Sequence, residues 1–203
     1  DFVNTLLDAK ILAVVRRGKF LWMPLELSKV ADTEQMHFAL VGHLGMSVQM
    51  FLRNPSEEQD KLTRVVITLA TARGKTVEFR FIDQRIFGSL AIDELVPTSD
   101  GNPGGFTQSS SAGKWWQNLI PSTAAHIARD PLDDSFDLNL VREKFAKKRS
   151  GVKRVLLDQR VLSGVGNIYA DEALWASKLH YDQPADSLSR ATFELLMSEV
   201  RRI

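Results

Sequence analysis

The stretch from Ser163 to Trp175 carries the residue types best suited to holding an anion. It reads Ser-Gly-Val-Gly-Asn-Ile-Tyr-Ala-Asp-Glu-Ala-Leu-Trp, with two glycines directly before a helical pattern. Glycine lets the backbone turn tightly, and the free amides at a helix start bind anions. Asn167 adds a side chain that can reach a phosphate oxygen, and it is predicted to cap a helix beginning at Ile168. Taken alone, the pattern also fits an ordinary tight turn between helices.

Basic residues gather in two segments, although the net charge of the chain is only +1. One segment runs from Lys144 to Arg154 and contains no acid, and the other is Arg16-Arg17-Gly18-Lys19. Acidic residues gather elsewhere, at 57–60 and 130–137. Such segregation lets a nearly neutral protein present a basic face to phosphates, although solvated lysine-rich surfaces have the same composition.

Composition narrows the class of protein. The chain has 203 residues, of which 44% are hydrophobic and 25% charged, as in ordinary soluble globular proteins. No apolar run approaches the roughly 18 residues of a membrane span, and the first residues do not resemble a signal peptide. The absence of cysteine excludes disulfides and thiolate metal sites. We therefore expect a cytoplasmic protein that has no membrane partner, and nothing in the sequence suggests more than a monomer.

The first hundred residues predict short antiparallel strands. Turns are indicated at Gly18 and at 73–75, and Pro24 indicates a strand edge or end. Short strands at this spacing favour a sandwich or barrel. The segments rich in β-branched and aromatic residues are 11–15, 20–25, 38–44, 48–52, 65–69 and 77–82.

The composition then changes twice. Residues 97–122 are rich in Gly, Ser, Pro and Thr, which indicates a flexible insertion or linker. Beyond them the apolar spacing becomes helical, with Leu138, Val141 and Phe145 on one face. A last helix is predicted with Ser189 as its N-cap.

Four segments, in the same order along the chain, resemble the formamidopyrimidine-DNA glycosylase and endonuclease VIII family. Residues 163–175, with the preceding Lys153-Arg154-Val155-Leu156-Leu157-Asp158-Gln159, resemble its helix–two-turn–helix motif. His43-Leu44-Gly45-Met46-Ser47 and Asp83-Gln84-Arg85-Ile86-Phe87-Gly88 resemble two loops that enter DNA, and Arg16-Arg17-Gly18-Lys19-Phe20-Leu21 resembles a basic hairpin. The two loops look closer to formamidopyrimidine-DNA glycosylase than to endonuclease VIII.

These observations together predict an α+β fold. We expect an antiparallel β-sandwich domain at residues 1–96 and a flexible segment at 97–122. A helical domain with the helix–two-turn–helix motif is expected at 123–203. The resemblance also implies an N-terminal start and a C-terminal zinc finger that lie outside the printed sequence.

The resemblance implies base-excision repair by a DNA glycosylase with AP lyase activity, and hence a nucleoid-associated protein. Its implied partner is double-stranded DNA containing oxidised purines, namely 8-oxoguanine and formamidopyrimidines, which are removed by base flipping. Apolar side chains suit insertion between base steps, and an arginine fork suits an orphaned base edge. The implied phosphate-binding residues are Lys19, His43, Lys153 and Asn167, and the implied wedge and orphan-base residues are Met46, Arg85 and Phe87. Without the resemblance, Met46 and Phe87 would be interpreted as core residues.

The sequence departs from the family at its first residues. The family is implied to use an N-terminal proline amine as nucleophile, beside a glutamate, through a Schiff base. This sequence opens with Asp1-Phe2-Val3, so we expect no catalytic residue in it and no activity from it alone. We also expect no cofactor or metal here, because the family's structural zinc needs the finger. Val48 replaces a usual glycine, and Ile86 a residue that is often basic.

Two other functions remain open. A non-catalytic damaged-DNA-binding module fits the absence of a visible replacement for the nucleophile. An RNA-binding protein is a weaker alternative, because related two-turn motifs occur in a ribosomal protein, whereas the strand-rich first half and the 43–47 and 83–88 loops argue against it. A Ser-His-Asp hydrolase is remote, since no G-x-S-x-G sequence occurs.

Overall fold

The computed structural model describes residues 1–27, 36–109 and 113–203. Its strands are β1 (Lys10–Ile11), β2 (Val15–Arg17), β3 (Phe20–Glu26), β4 (Phe38–His43), β5 (Gln49–Arg53), β6 (Thr63–Ala70), β7 (Thr76–Ile82), β8 (Ser89–Pro97) and β9 (Leu119–Pro121). Its helices are α1 (Phe2–Leu6), α2 (Leu138–Ala146), α3 (Val152–Leu156), α4 (Asn167–Ala176) and α5 (Arg190–Arg202), with 3-10 turns at Ser122–Ala124 and Ala185–Ser187.

The strands form two antiparallel sheets. The larger sheet has the order β1-β3-β4-β8-β9, with β2 also paired to β3, and the smaller has the order β5-β7-β6. A helical part follows in the chain. The predicted α+β fold, an antiparallel β-sandwich followed by a helical domain, is confirmed. The predicted boundaries at residues 96 and 122 stay predictions.

The core between the two sheets follows from the alternation of side chains along each strand. In β3 and β4 the buried Met23, Leu25 and Leu40 face one way and join Phe79 and Phe81 of β7. Their neighbours face the opposite way, because successive strand residues alternate between the two faces of a sheet. That second cluster contains Trp22, Ala39, Val41, Leu95, Trp116 and Ile120.

Pro24 does not lie at a sheet edge or a strand end, so that prediction was wrong. It sits inside β3, opposite Ala39 of β4. On its other side the chain passes from β1 to β2, and there the amide of Leu12 donates to the carbonyl of Pro24 at 3.0 Å. Proline lacks an amide donor, and the break between β1 and β2 leaves no regular ladder position that needs one.

Strand β8 was not predicted from the sequence. Asp93 and Glu94 interrupt its apolar pattern, which weakens the strand signal. In the structure the Asp93 carboxylate accepts hydrogen bonds from Ser122 Oγ at 2.7 Å and from Thr123 N at 2.9 Å. An acidic residue inside the strand thus anchors the start of the 3-10 turn that follows β9.

The described part of residues 97–122 packs on the larger sheet. Trp116 is buried against that sheet, and the amide of Arg16 donates to the carbonyl of Phe106 at 2.9 Å. Asp100 forms an ion pair with Arg129 at 2.6 Å. Residues 110–112 lie outside the described residues, and the flexibility of the segment stays a prediction.

The helical part has its own core. Val141 and Phe145 of α2 pack with α3, α4 and α5, and the rings of Phe145 and Phe193 meet edge to face at 5.2 Å. The predicted N-cap Ser189 is confirmed, since its hydroxyl accepts from the amide of Thr192 at 3.1 Å. Among the described residues, no helix is long and apolar enough to cross a membrane.

Candidate nucleic-acid interface

Two loops that are distant in sequence run side by side at one end of the sandwich. The loop at 44–48 leads from β4 to β5, and the loop at 83–88 leads from β7 back to β8. His43 at the end of β4 pairs with Ser89 at the start of β8, and Gln49 at the start of β5 pairs with Ile82 at the end of β7. Because both ends of the loops are paired, the loops must cross between the sheets together.

The backbones of the two loops touch. Gly45 has φ +51°, and a Cβ at this position would lie 2.9 Å from the carbonyl carbon of Phe87. A side chain there would therefore clash with the neighbouring loop, and its conformation would be strained as well. Gly45 is needed for the close approach, which places Met46 beside the loop that carries Arg85 and Phe87.

A buried carboxylate links these loops. Asp83 is 2% exposed, and it accepts hydrogen bonds from Gly88 N at 2.8 Å, Arg85 N at 3.1 Å and Ser47 Oγ at 3.3 Å. Burial acts to raise the pKa of Asp83, but these hydrogen bonds outweigh it and hold the pKa below its usual value. The carboxylate is therefore ionised, and it accepts donors from both loops.

The tips of the loops expose large apolar side chains. Met46 is 68% exposed and Phe87 is 61% exposed, so neither is a core residue in this structure. Arg85, two residues before Phe87 in the same loop, is exposed as well. Ile86 is exposed and has φ +57°, a conformation that is costly for a β-branched residue. The three side chains that the sequence predicted to contact DNA, Met46, Arg85 and Phe87, are therefore accessible to a partner.

Two predicted phosphate ligands lie next to these loops. Lys19 occupies the turn between β2 and β3, and its carbonyl accepts from the amide of Leu44 at 2.9 Å. Phe20 pairs with His43 across the sheet, and the two rings lie 4.8 Å apart. Burial, and then the charge of Lys19, lower the pKa of His43 below its usual value. The His43 imidazole is therefore neutral near pH 7.

Arg17 does not contribute to a basic surface, although the sequence places it in the basic hairpin. It is 8% exposed, and its guanidinium donates to the carbonyls of Ile127 at 3.2 Å and Pro103 at 3.4 Å. Burial, followed by repulsion from Arg129, lowers the pKa of Arg17 to about 10. Strand alternation explains the difference, because Arg17 faces inward while Arg16 on the preceding position is exposed.

The hairpin touches the turn that leads into α4. Gly18 has φ +55°, and a Cβ there would lie 3.3 Å from Cβ of Ser163. Ser163 begins the Gly164-Val165-Gly166 turn, and its amide donates to the carbonyl of Arg129 at 3.1 Å. The basic hairpin of the sandwich and the glycine turn of the helical part therefore lie against each other.

Asn167 is not the N-cap of α4, so that prediction was wrong. Gly166 occupies the N-cap position, and Asn167 is the first helical residue. Gly166 has no side chain to satisfy the first amides, and the space around its Cα is open. Asn167 is itself exposed, so its amide and the free N–H groups of the first turn are both accessible to an anion.

Three lysines of the basic 144–154 segment are bonded to other groups of the helical part. Lys153 Nζ lies 2.7 Å from Asp171 Oδ1 of α4, and Lys148 pairs with Asp158 at 3.4 Å. Lys144 donates to the carbonyl of Arg160 at 3.0 Å. The exposed basic residues in this stretch are Lys147, Lys148, Arg149 and Arg154.

The structure thus brings the predicted residues into two neighbouring groups. The first group lies at one end of the sandwich and consists of Lys19, His43, Met46, Arg85 and Phe87. The second lies at the start of α4 and consists of Asn167 and Lys153. Sequence reasoning missed Asp83 and Ser47 as parts of the site. The available signal was a polar residue at the end of the first loop motif, Ser47, and another at the start of the second, Asp83.

The fold and the site define a protein in which an antiparallel β-sandwich meets a helix–two-turn–helix domain. Two family models match: the formamidopyrimidine-DNA glycosylase N-terminal domain over residues 1–90 and the formamidopyrimidine-DNA glycosylase H2TH domain over residues 127–203. The chain therefore belongs to the formamidopyrimidine-DNA glycosylase family.

Individual relatives agree with this membership. The chain is 44% identical to formamidopyrimidine-DNA glycosylase of Leifsonia xyli subsp. xyli, over 100% of this chain and 64% of the relative. It is 40% identical to that of Streptomyces coelicolor, over 100% of this chain and 60% of the relative. The chain thus spans about three fifths of the length of these curated relatives.

A solved structure shares the fold. Lactococcus lactis Fpg in complex with FAPY-dG containing DNA matches with a TM-score of 0.65 and 23% identity, covering 96% of this chain and 60% of that one. At this identity the match supports the arrangement of the sandwich and the helices and nothing finer.

Proposed function

We propose that the intact protein is a base-excision repair glycosylase that extrudes damaged bases from duplex DNA. One observation carries the proposal: Met46, Arg85 and Phe87 are exposed on two interlocked loops, beside Lys19 and His43. Contiguous patches of exposed apolar side chains mark interaction sites. Apolar wedges flanked by cations are the combination that proteins use to enter and kink a duplex.

The wedge residues address the physical obstacle in base repair. A base inside a duplex cannot reach an active site, and unstacking it costs a few kcal/mol. Met46 and Phe87 would fill the space that the extruded base leaves, and Arg85 would donate to the base that has lost its partner. The paired strand ends hold both loops before DNA arrives, which reduces the entropic cost of ordering them on binding.

The hydrogen-bond donors around the loops and at the start of α4 would position the duplex. Lys19, His43 and the open start of α4 with Asn167 offer donors to phosphate oxygens, and such contacts fix orientation without reading sequence. Lys153 would exchange its Asp171 partner for a phosphate. The contact between Gly18 and Ser163 sets the spacing between the sandwich donors and the α4 donors.

We further propose that the protein acts as a monomer on 8-oxoguanine and formamidopyrimidine lesions, with AP lyase activity. Family membership supports this part, and no residue of the printed sequence is assigned as catalytic. The 203 residues by themselves are expected to bind DNA without forming a Schiff base, because none of them is assigned as the amine nucleophile. Zinc, which the family resemblance implies, finds no cysteine ligand in this sequence, so no residue here is assigned to it.

The test uses the intact protein and duplexes with a single 8-oxoguanine or formamidopyrimidine. We expect excision, and borohydride trapping of a covalent intermediate. Met46→Ala and Arg85→Ala should slow single-turnover excision by about tenfold or more, because each tenfold needs only about 1.4 kcal/mol of lost wedge interaction. Leu52→Ala is the matched control, since Leu52 is 64% exposed on β5 and lies outside both loops.

Three outcomes separate the possibilities. Excision that is sensitive to Met46 and Arg85 but not to Leu52 supports the proposal. Selective binding of damaged duplex without excision would favour the alternative of a non-catalytic binding module. Equal affinity for damaged and undamaged duplexes, together with no excision, would contradict both.

A further inference from the structure

Asp83 occupies a special position between the two loops. One carboxylate oxygen accepts from Ser47 Oγ, which belongs to the Met46 loop, and from the amide of Arg85. The other oxygen accepts from the amide of Gly88. Since the side chain is 2% exposed, water competes little for these donors, and the bond from the Gly88 amide, at 2.8 Å, is the shortest of the three.

We propose that Asp83 is a positioning residue that fixes the Met46 loop and the Arg85–Phe87 loop in one register, so that they enter DNA as a single unit. This inference rests on the proposed function and deepens it. In this inference Asp83 does not contact DNA itself, but it couples the wedge residue Met46 to Arg85, which contacts the orphaned base.

A carboxylate is required here for a chemical reason. All its bonds in this site are acceptor bonds, on both oxygens. Asparagine has one acceptor oxygen and one donor group. In Asp83→Asn the side-chain NH₂ group would therefore face another hydrogen-bond donor in one of these contacts. A buried donor left unsatisfied costs more than the hydrogen bond it replaces.

The conformation of Ile86 is an independent sign that the loop is held. Its φ of +57° lies in the left-handed region, which a β-branched residue avoids. Such strain persists only where the surroundings over-determine the backbone. The amide of Arg85, directly before Ile86, and the amide of Gly88, two residues after it, both donate to Asp83. Val48 also packs against Gly88, which adds an apolar contact between the loops.

The experiment compares Asp83→Asn and Ser47→Ala in the intact protein. Extrusion is followed by the fluorescence of 2-aminopurine beside the lesion, and affinity is measured for undamaged duplex. Ser47→Ala should slow extrusion by about fivefold to tenfold, because the Ser47 bond is 3.3 Å long and is expected to contribute only as much as a typical bond between neutral groups. Asp83→Asn should slow extrusion further. Affinity for undamaged duplex should change by less than about twofold, because phosphate contacts supply nonspecific binding.

The matched controls are Asp60→Asn and Ser56→Ala. Both side chains make hydrogen bonds within the exposed 54–62 loop of the same sandwich, and both variants should extrude at the original rate. Coupling gives the decisive readout. The effects of Met46→Ala and Arg85→Ala on the free energy of activation for base extrusion should be non-additive when Asp83 is present. In the Asp83→Asn background these two effects should become additive.

The outcomes are distinguishable. Slower extrusion together with lost coupling supports the inference. Lowered melting temperatures with unchanged extrusion and unchanged coupling would overturn it, because Asp83 would then serve stability alone. If Asp83→Asn does not fold, Ser47→Ala decides between these two results. If Met46→Ala and Arg85→Ala do not affect extrusion at all, the proposed function fails and the inference fails with it.

Discussion

Replacing Met46 with alanine distinguishes a side chain that enters DNA from one that packs in the core. Met46 is 68% exposed, so only about a third of it is removed from water. Fully burying a methionine stabilises a protein by about 1.5–3 kcal/mol. Met46→Ala should therefore lower the free energy of unfolding by no more than about 0.5–1 kcal/mol.

Met23→Ala is the matched control for this measurement. Met23 is 4% exposed, in the core between the two sheets, and truncating a buried methionine costs about 2–5 kcal/mol. Thermal unfolding of the intact protein, followed by calorimetry, reports both variants. Each kcal/mol shifts the melting temperature by about 2–4 °C for a chain of about 150–250 residues. We expect a drop of no more than about 4 °C for Met46→Ala and a larger one for Met23→Ala.

Extrusion measurements on the same two variants complete the test. Met46→Ala should extrude bases slowly while folded, whereas Met23→Ala should extrude normally at temperatures where it is folded. A fall in the melting temperature of Met46→Ala as large as that of Met23→Ala would show that Met46 is a packing residue. The wedge assignment would then be withdrawn.

Three further predictions concern the predicted phosphate ligands. Asn167→Ala should weaken DNA binding but change the free energy of unfolding by less than about 0.5 kcal/mol, because alanine is the better helix former. If chemical denaturation shows that Asn167→Ala lowers the free energy of unfolding by about 1 kcal/mol, Asn167 is a helix cap after all. DNA affinity, measured by fluorescence anisotropy, should rise as the pH falls from about 7.5 to 6, because a phosphate favours the protonated His43 and binding takes up a proton. This rise should be smaller in His43→Gln, and an unchanged pH dependence would contradict it. The stability of the free protein should depend on pH in the opposite direction. Because the folded-state pKa of His43 is lowered, the contribution of His43 to the free energy of unfolding is present above its ordinary pKa and is lost as the pH falls through the folded-state value. Lys19→Ala should reduce the slope of log affinity against log salt by about 0.9, the value for one phosphate contact, and an unchanged slope would remove Lys19 from the interface.

Much of the fold could be predicted from the sequence, because alternation and helical spacing report which side chains face a core. The strands around Gly18 and the helix that contains Val141 and Phe145 are examples. Strand β8 was missed, since Asp93 and Glu94 mask its alternation. Pro24 was misplaced, because a proline signal shows only that an amide is missing, and the β1–β2 break that tolerates it depends on a neighbouring strand.

The sequence alone determined the family resemblance and the residue types of the candidate site, because these depend on motifs of a few consecutive residues. Only the tertiary structure decided how the motifs meet. The pairing of His43 with Ser89 and of Gln49 with Ile82 places Met46 beside Phe87, and strand alternation turns Arg17 inward. The role of Asp83 could not be predicted, because its partner Ser47 lies 36 residues away in sequence. A hydrogen bond between such distant residues depends on the register of whole strands, which no local pattern specifies.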